Sequence, residues 1–172
     1  GDLPAFATRN KDKVYEAVTF KQLYEMGVNL ATGLIELGVQ AREHVAMLAD
    51  NRLEWIVTDY GILLTGAADV PRGTDVTDAD ITYIIPHSDA KVCFVEHKQM
   101  LDKLLANKIK LPNLQHIIMM DKDTKVSGDV LHLYDLIEKG KKLRSAGDRR
   151  VEERVAQIKS DDLFTLIYTS GT

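Results

Sequence analysis

The last four residues of the sequence, Thr169, Ser170, Gly171 and Thr172, have chemistry suited to binding phosphate groups. Their hydroxyls can donate hydrogen bonds to phosphate oxygens, and the glycine allows backbone amides to turn toward an anion. Residues 163–168, directly before them, form an apolar run typical of a strand. Ligands of open α/β sheets bind beyond the carboxyl ends of the strands, which is where these four residues would lie. The sequence therefore offers a candidate phosphate-binding loop, with an ordinary turn as the alternative.

A helix over residues 19–38 is the element that the sequence marks most clearly. Thr19 and Gln22 fit a capping box at its start, and Gly38 stands where a left-handed C-terminal cap is needed. Apolar side chains recur at helical spacing along one face: Phe20, Leu23, Tyr24, Gly27, Ala31 and Leu34.

Short, continuously apolar runs alternate with helical patterns along the rest of the chain. The runs cover residues 45–49, 67–71, 92–95, 116–120 and 163–168. Helices are predicted over 53–64 with an N-cap at Asp50–Asn51, after a capping box formed by Thr77 and Asp80, over 131–143 and over 148–159. Runs of this kind suit strands covered on both faces. We therefore predict an α/β fold, layered α/β/α, with a mainly parallel sheet.

Composition and charge narrow the classes of function. A chain of 172 residues sets a prior of about one domain. Its 22 basic and 26 acidic side chains give a net charge of −4, so no nucleic-acid partner is expected. The one cysteine, Cys93, is predicted to be a buried structural thiol. The sequence has neither a signal-peptide pattern nor an apolar run of bilayer length, so we expect a cytoplasmic protein.

Several segments resemble, in order and at about the same spacing, motifs of the AMP-forming acyl-CoA synthetase superfamily. They are residues 18–23, 50–55, 66–71, 84–95 and 168–172, so the resemblance covers roughly residues 15–96 and 160–172. The last segment, Tyr-Thr-Ser-Gly-Thr, is similar to the opening of the superfamily's phosphate-binding signature. Within the superfamily, these segments most resemble those of a long-chain fatty acid–CoA ligase or of the related acyl-carrier-protein ligases.

This resemblance implies that residues 1–172 are the N-terminal part of an AMP-binding domain, ending within its phosphate-binding motif. It implies an enzyme that uses ATP with Mg²⁺ to activate a fatty acid as an acyl-adenylate and transfers it to coenzyme A. Thr169, Ser170, Gly171 and Thr172 would bind the ATP phosphates, and no catalytic or metal-binding residue would fall within this chain. The superfamily's adenine pocket, ribose-binding aspartate, metal-binding glutamate and catalytic lysine would come after residue 172. The chain alone is therefore expected to be inactive.

One segment departs from the superfamily pattern and keeps alternatives open. After Val70 and Pro71 the superfamily commonly has an apolar residue and a second proline, whereas Arg72 follows here. An acyl-carrier-protein ligase, or an enzyme that adenylates an aryl or amino acid, is therefore an alternative. A third is a non-catalytic, receiver-like α/β interaction module, in which Asp50 would lie at the carboxyl end of a strand.

Other reactive or charged residues have simpler structural interpretations. Trp55 and Tyr60 could line an acyl tunnel, but on a helix facing a sheet they are predicted to be core residues. Asp75, Asp78 and Asp80 fit helix capping better than a calcium loop. A basic cluster is predicted to be a solvated surface, with weak attraction to an anionic membrane as the alternative. It comprises Lys139, Lys141, Lys142, Arg144, Arg149 and Arg150.

Overall fold

The computed structural model describes residues 1–9 and 13–169. In chain order its elements are β1 (Pro4–Arg9), β2 (Tyr15–Thr19), α1 (Phe20–Leu37), β3 (His44–Leu48), α2 (Leu53–Leu64), β4 (Ala68–Arg72), α3 (Asp78–His87), β5 (Val92–Val95), α4 (Lys98–Ala106), a 3₁₀ turn (Lys108–Lys110), β6 (His116–Met119), β7 (Val130–His132), α5 (Leu133–Ser145) and α6 (Arg150–Val155). Strands β1 and β2 form an antiparallel pair. The other five form one sheet in the order β4-β3-β5-β6-β7, in which every neighbouring pair is parallel. The predicted α/β fold with a mainly parallel sheet is confirmed.

The core lies on both faces of this sheet. On one face, α3 and α4 pack against side chains such as Cys93 and Val95 of β5. On the other, α1, α2 and α5 pack against the alternating residues Val92 and Phe94. Burial on both faces explains why the strands are continuously apolar in sequence, and it gives the predicted α/β/α layers.

Two capping boxes begin helices where the sequence predicted them. The Thr19 hydroxyl accepts a hydrogen bond from the Gln22 amide, and the Gln22 side chain accepts one from the Thr19 amide. Thr77 and Asp80 make the same reciprocal pair at the start of α3. Gly38 ends α1 with a φ of 109°, in the left-handed region that glycine adopts at least cost.

The start of α2 differs from the prediction. Its N-cap is Arg52, which caps no amide with its side chain, so the predicted N-cap at Asp50–Asn51 is wrong. The Asp50 carboxylate is instead occupied by hydrogen bonds from Thr74, in the loop after β4. A contact distant in sequence has displaced the local one.

Residues 163–168, here called the edge segment, form less regular structure than predicted. The segment makes one parallel bridge, between Thr165 and Asp69 of β4. The Leu166 amide donates to the Asp69 carbonyl at 2.9 Å, and the Asp69 amide to the Phe164 carbonyl at 3.4 Å. The segment follows the outer edge of β4, but the predicted full strand is wrong within the described residues. Phe164 is 62% exposed, so its side chain contributes little packing that would favour further pairing between the segment and β4.

Several elements lie outside the predictions or differ in length. The β1–β2 pair, α4 and β7 have no sequence prediction, and β7 takes the first residues of the helix predicted over 131–143. The helix predicted over 148–159 is reduced to α6, in which Val151 is the buried side chain. No helix within residues 1–9 and 13–169 is both long and apolar enough to span a bilayer.

Candidate functional site

The edge segment brings Thr169 to the carboxyl edge of the parallel sheet. Its bridge pairs Thr165 with Asp69 of β4. Three residues further along each segment, Tyr168 therefore lies level with Arg72, the last residue of β4. Thr169 follows at the carboxyl edge of the sheet, near the loops that come after the strands, and it is exposed. The remaining predicted phosphate-binding residues, Ser170, Gly171 and Thr172, lie outside the described residues.

Tyr168 is held through both its backbone and its side chain. Arg72 Nη1 donates to the Tyr168 carbonyl oxygen at 2.7 Å. The Tyr168 hydroxyl lies 2.7 Å from Nδ1 of His87, at the end of α3. His87 stacks on Tyr83 with 5.1 Å between the ring centroids, and Tyr168 meets both rings edge-on. The residue directly before Thr169 is thus fixed at two points.

Asp50 joins the loops at this edge. Its carboxylate accepts hydrogen bonds from the Thr74 hydroxyl at 2.6 Å and from the Thr74 amide at 3.0 Å. These bonds, the hydroxyl first, hold the pKa of Asp50 below its ordinary value. The Asp50 amide donates to Glu96 Oε2 at 2.6 Å, which ties in the loop after β5. Hydrogen bonds therefore connect the loops that follow β3, β4 and β5.

Arg52 and Arg72 differ in how their charges are neutralised. Arg52 Nε donates to Glu54 at 2.7 Å, and its Nη1 lies 3.5 Å from Glu96. Burial favours protonated Glu54, but hydrogen bonds from Arg52 and Tyr134 outweigh it, so the pKa of that carboxyl is lowered. Arg72 has no ion pair with any carboxylate in the part of the chain that the structure describes, and its Nε is buried without a hydrogen-bond partner. Its positive charge acts on Asp80 from beyond ion-pair distance and is not neutralised by a direct carboxylate contact.

A cleft of about 320 Å³ opens beside Arg72. The residues that line it are Ala49, Asp50, Asn51, Trp55, Pro71, Arg72 and Gly73. Trp55 is partly buried and packs against the helices on that face, close to its prediction as a core residue. The same prediction for Tyr60 is wrong. Tyr60 is 37% exposed because it lies on the outer side of α2. Its ring packs over Gly27 of α1.

Asp50, Glu96 and Asp80 at this edge accept hydrogen bonds from protein groups. In residues 1–9 and 13–169, no three His, Cys, Asp or Glu side chains are placed to hold a metal ion together. Asp50 is bonded to Thr74, and Glu96 accepts from the Asp50 amide. Asp80 caps α3 as predicted.

Two further predictions concern residues away from this edge. Cys93 is fully buried in β5, and burial raises the pKa of its thiol, so the structural interpretation is confirmed. Two arginines of the basic cluster form ion pairs: Arg144 contacts Glu152 at 2.6 Å, and Arg150 contacts Asp148 at 2.6 Å. A solvated helix surface is therefore confirmed there.

In the sequence, Tyr168 is only the last residue of an apolar run, and neither Arg72 nor His87 is identified as its partner. A signal for Arg72 was present, because a cation at the carboxyl end of an apolar run falls at the edge where α/β sheets bind ligands. His87 carries no such signal. It is the last residue of α3, and the register of the edge segment alone brings it beside Tyr168.

Comparison with known families and sequences gives consistent results. The model of the AMP-binding enzyme family matches residues 1–172. The chain is 32% identical over 165 residues to the chloroplastic long-chain-fatty-acid acyl-carrier-protein ligase AEE15 of Arabidopsis thaliana, covering 90% of this chain and 23% of that protein. It is 32% identical over 173 residues to the long-chain-fatty-acid–CoA ligase ACSBG2 of Homo sapiens, covering 100% and 25%. The chain spans about a quarter of the length of these relatives.

Solved structures give the same architecture. The anthranilate CoA ligase AuaEII, in complex with anthranoyl-AMP, matches with a TM-score of 0.78 and 25% identity over 91% of this chain and 28% of that chain. The acyl-CoA synthetase of Brucella canis matches with a TM-score of 0.71 and 21% identity over 99% of this chain and 29% of that chain. The second likeness concerns the fold alone.

Proposed function

Because the chain belongs to the AMP-binding enzyme family, we propose that it is the N-terminal part of an AMP-forming ligase that joins a long-chain fatty acid to coenzyme A. The family is that of adenylate-forming ligases, and the chain's homologues include fatty acid ligases acting with coenzyme A or with an acyl carrier protein. The long-chain substrate and the choice of coenzyme A are the proposal.

The position of Thr169 is the structural observation that supports this function most directly. It follows a segment in parallel register with β4 and is exposed at the carboxyl edge, where Arg72, one of the residues lining the cleft, binds the carbonyl of the preceding Tyr168. Ligands of α/β sheets bind at that edge. A loop starting there with Thr169 would meet the triphosphate of ATP.

The proposed reaction has two steps. A carboxylate oxygen of the fatty acid attacks the α-phosphorus of ATP, the bond to the bridging oxygen breaks, and pyrophosphate leaves. The thiol sulfur of coenzyme A then attacks the acyl carbonyl carbon and loses its proton to solvent, and AMP leaves with the electron pair of the broken acyl–oxygen bond. In the first step negative charge grows on the departing pyrophosphate, and donors fixed toward that charge lower the barrier.

The loop Thr169–Thr172 is assigned the role of holding the β- and γ-phosphates. A donor aimed at developing charge in a dry site contributes roughly 3–4 kcal/mol. ATP would bring Mg²⁺ with it. The described residues present no ligand set for this ion, and no step here is assigned to it.

The function is tested on the full-length protein by fatty-acid-dependent exchange of labelled pyrophosphate into ATP. We expect exchange with long-chain acids and little with aryl or amino acids; the reverse preference would contradict the fatty acid assignment. Coenzyme A and a phosphopantetheinylated acyl carrier protein, supplied separately, identify the acceptor. Absence of ATP binding would overturn the ligase assignment and favour a non-catalytic module.

The isolated 172-residue chain is proposed to be inactive in the same assay, because it corresponds to about a quarter of the length of its relatives. Exchange by this chain at a rate comparable with the full-length protein would contradict the proposal. We further propose a cytoplasmic location for the full-length enzyme, which fractionation of cells into soluble and membrane material would test.

Substitutions in the loop form the first specific prediction. Ser170→Ala and Thr172→Val in the full-length protein are each expected to lower kcat of pyrophosphate exchange by about 10²–10³, as loss of a charge-stabilising donor does elsewhere. Ser145→Ala, on the exposed surface of α5, is the matched control and should leave kcat unchanged. If the loop variants kept the kcat of the unsubstituted enzyme, a role of these hydroxyls in binding the phosphates would be contradicted.

A further inference from the structure

We propose that Arg72 is a positioning residue for the phosphate-binding loop: its guanidinium fixes the backbone at Tyr168 and so sets the direction in which Thr169 leaves the sheet. This inference rests on the proposed function, since it concerns the same loop. It assigns a role to the residue at which the sequence departs from the superfamily pattern.

The register of the strands places Arg72 where it can act. Thr165 is bridged to Asp69, which brings the end of β4 level with Tyr168. The hydrogen bond from Arg72 Nη1 to the Tyr168 carbonyl, at 2.7 Å, therefore adds a second connection between β4 and the edge segment beyond their single bridge. Without it, the last described residues would be joined to β4 through the bridge at Thr165 alone.

No ion pair within the described residues accounts for the charge of Arg72, and Asp80 interacts with it only from beyond ion-pair distance. Within the described ranges no carboxylate pairs with it, and its Nε is buried without a partner. Arg52, on the next loop, is by contrast bound to Glu54 and Glu96. A guanidinium that holds a backbone carbonyl while keeping its charge suits a loop that must present donors to a polyphosphate.

A second contact limits how the loop base can move. The Tyr168 hydroxyl and His87 Nδ1 are 2.7 Å apart, and Tyr83 stacks on His87. This contact fixes the side chain of Tyr168, whereas Arg72 fixes its carbonyl. Because a backbone bond controls the path of the following residues more directly, loss of Arg72 should disturb the loop more than loss of the Tyr168 hydroxyl.

The test compares Arg72→Gln, Arg72→Lys and Tyr168→Phe in the full-length protein. Displacement of a reacting group by about 1 Å can cost roughly 100-fold in rate, so Arg72→Gln is expected to lower kcat/KM for ATP by about 10- to 100-fold. Arg72→Lys, which keeps a charged donor, should recover part of this loss, and Tyr168→Phe should change kcat/KM for ATP by less than Arg72→Gln. KM for the fatty acid should stay within about twofold. A distorted domain would change the constants of both substrates, whereas loss of loop positioning should act on kcat/KM for ATP.

Arg42→Gln is the matched control, because Arg42 is an exposed arginine whose bond to Asp162 lies just before the edge segment. It should leave kcat/KM for ATP unchanged. A wild-type kcat/KM for ATP in Arg72→Gln would overturn the inference, as would equal loss in the Arg42 variant.

Hydrogen–deuterium exchange gives a readout that does not depend on activity. Peptides covering residues 165–172 should exchange faster in Arg72→Gln than in the unsubstituted protein, while peptides from α5 should not change. Unchanged exchange would overturn the anchoring role even if catalysis were altered. If the unsubstituted protein shows no pyrophosphate exchange, the proposed function fails, and the deuterium measurement still decides whether Arg72 holds this segment.

Discussion

At the residue scale, two aspartates, Asp59 of α2 and Asp69 of β4, have carboxyl groups whose pKa values are both raised. Burial, with the nearby charge of Asp69 and a hydrogen bond to it, raises the pKa of Asp59 to about 6. Burial likewise raises the pKa of Asp69, although a hydrogen bond involving Thr165 opposes this. One oxygen of Asp69 is buried with no partner among the described residues. The pair therefore favours a shared proton at low pH.

Asp59→Asn is expected to stabilise the protein at neutral pH. The raised pKa means that the folded state binds more protons than the unfolded state between pH 3.8 and about 6, so stability falls as pH rises through this window. Asparagine removes that loss. After allowance for the partial exposure of Asp59, the gain should be about 1 kcal/mol above pH 6, shrinking toward zero near pH 4.

Urea unfolding at a series of pH values measures this effect. Asp129→Asn, at an exposed turn position, is the control and should follow the unsubstituted protein throughout. A stability difference for Asp59→Asn that is the same at pH 4 and pH 8 would show that the aspartate pair is not its origin.

The candidate site shows what single residues reveal in sequence and what they do not. The residue types of Thr169–Thr172 predicted phosphate chemistry, because hydroxyls and glycine carry that property wherever they stand. Arg72 and His87 gain their role by meeting Tyr168, and that meeting depends on strand register. Register is fixed by pairing between distant segments, and so it is absent from local sequence patterns.

At the element scale, α1 and α5 approach each other so closely that glycine is needed at their contact. A Cβ atom added at Gly140 would lie 1.8 Å from the backbone oxygen of Asn29, and one at Gly33 would lie 2.5 Å from that of Leu136. Both neighbours are backbone atoms, which cannot rotate away as a side chain can. Glycine is required at both positions for the two helices to approach.

Gly140→Ala is therefore expected to lower the free energy of unfolding by about 3 kcal/mol. Alanine is intrinsically better than glycine in a helix by about 1 kcal/mol, so a net loss would identify the clash as its cause. Chemical denaturation measures the change, with Lys141→Ala on the adjacent exposed position as the control, expected within about 0.5 kcal/mol of the unsubstituted protein. A Gly140→Ala variant of undiminished stability would mean that α1 and α5 are further apart.

Elements with strong local signals were predicted well. The capping boxes of Thr19 and Thr77 are local chemistry, and the strands buried on both faces produce apolar runs. Strand β7, with three half-buried residues, and the β1–β2 pair, in which no residue of known burial is fully buried, lack such signals. Their formation depends on neighbouring strands. The edge segment shows the opposite case, an apolar run that lacks a second neighbour in the described residues and forms one bridge.

At the scale of the whole molecule, the edge segment has an outer side that faces away from β4, and the segment carries three exposed apolar side chains. Leu163 is 52%, Phe164 62% and Ile167 70% exposed. No strand within residues 1–9 and 13–169 pairs with that side of the segment. An open sheet edge that carries large apolar residues favours association with another chain.

We therefore expect the 172-residue chain to self-associate in a concentration-dependent manner, as measured by sedimentation velocity between about 5 and 200 µM, a range in which weak sheet-edge contacts are populated. The double variant Phe164→Lys/Ile167→Lys should shift the distribution toward monomer, because charge at a sheet edge opposes pairing. Phe20→Lys is the matched control, since Phe20 is 55% exposed at the start of α1 and away from this edge. A monomer at every concentration, or an equal shift caused by the Phe20 variant, would show that the edge segment is not the adhesive surface.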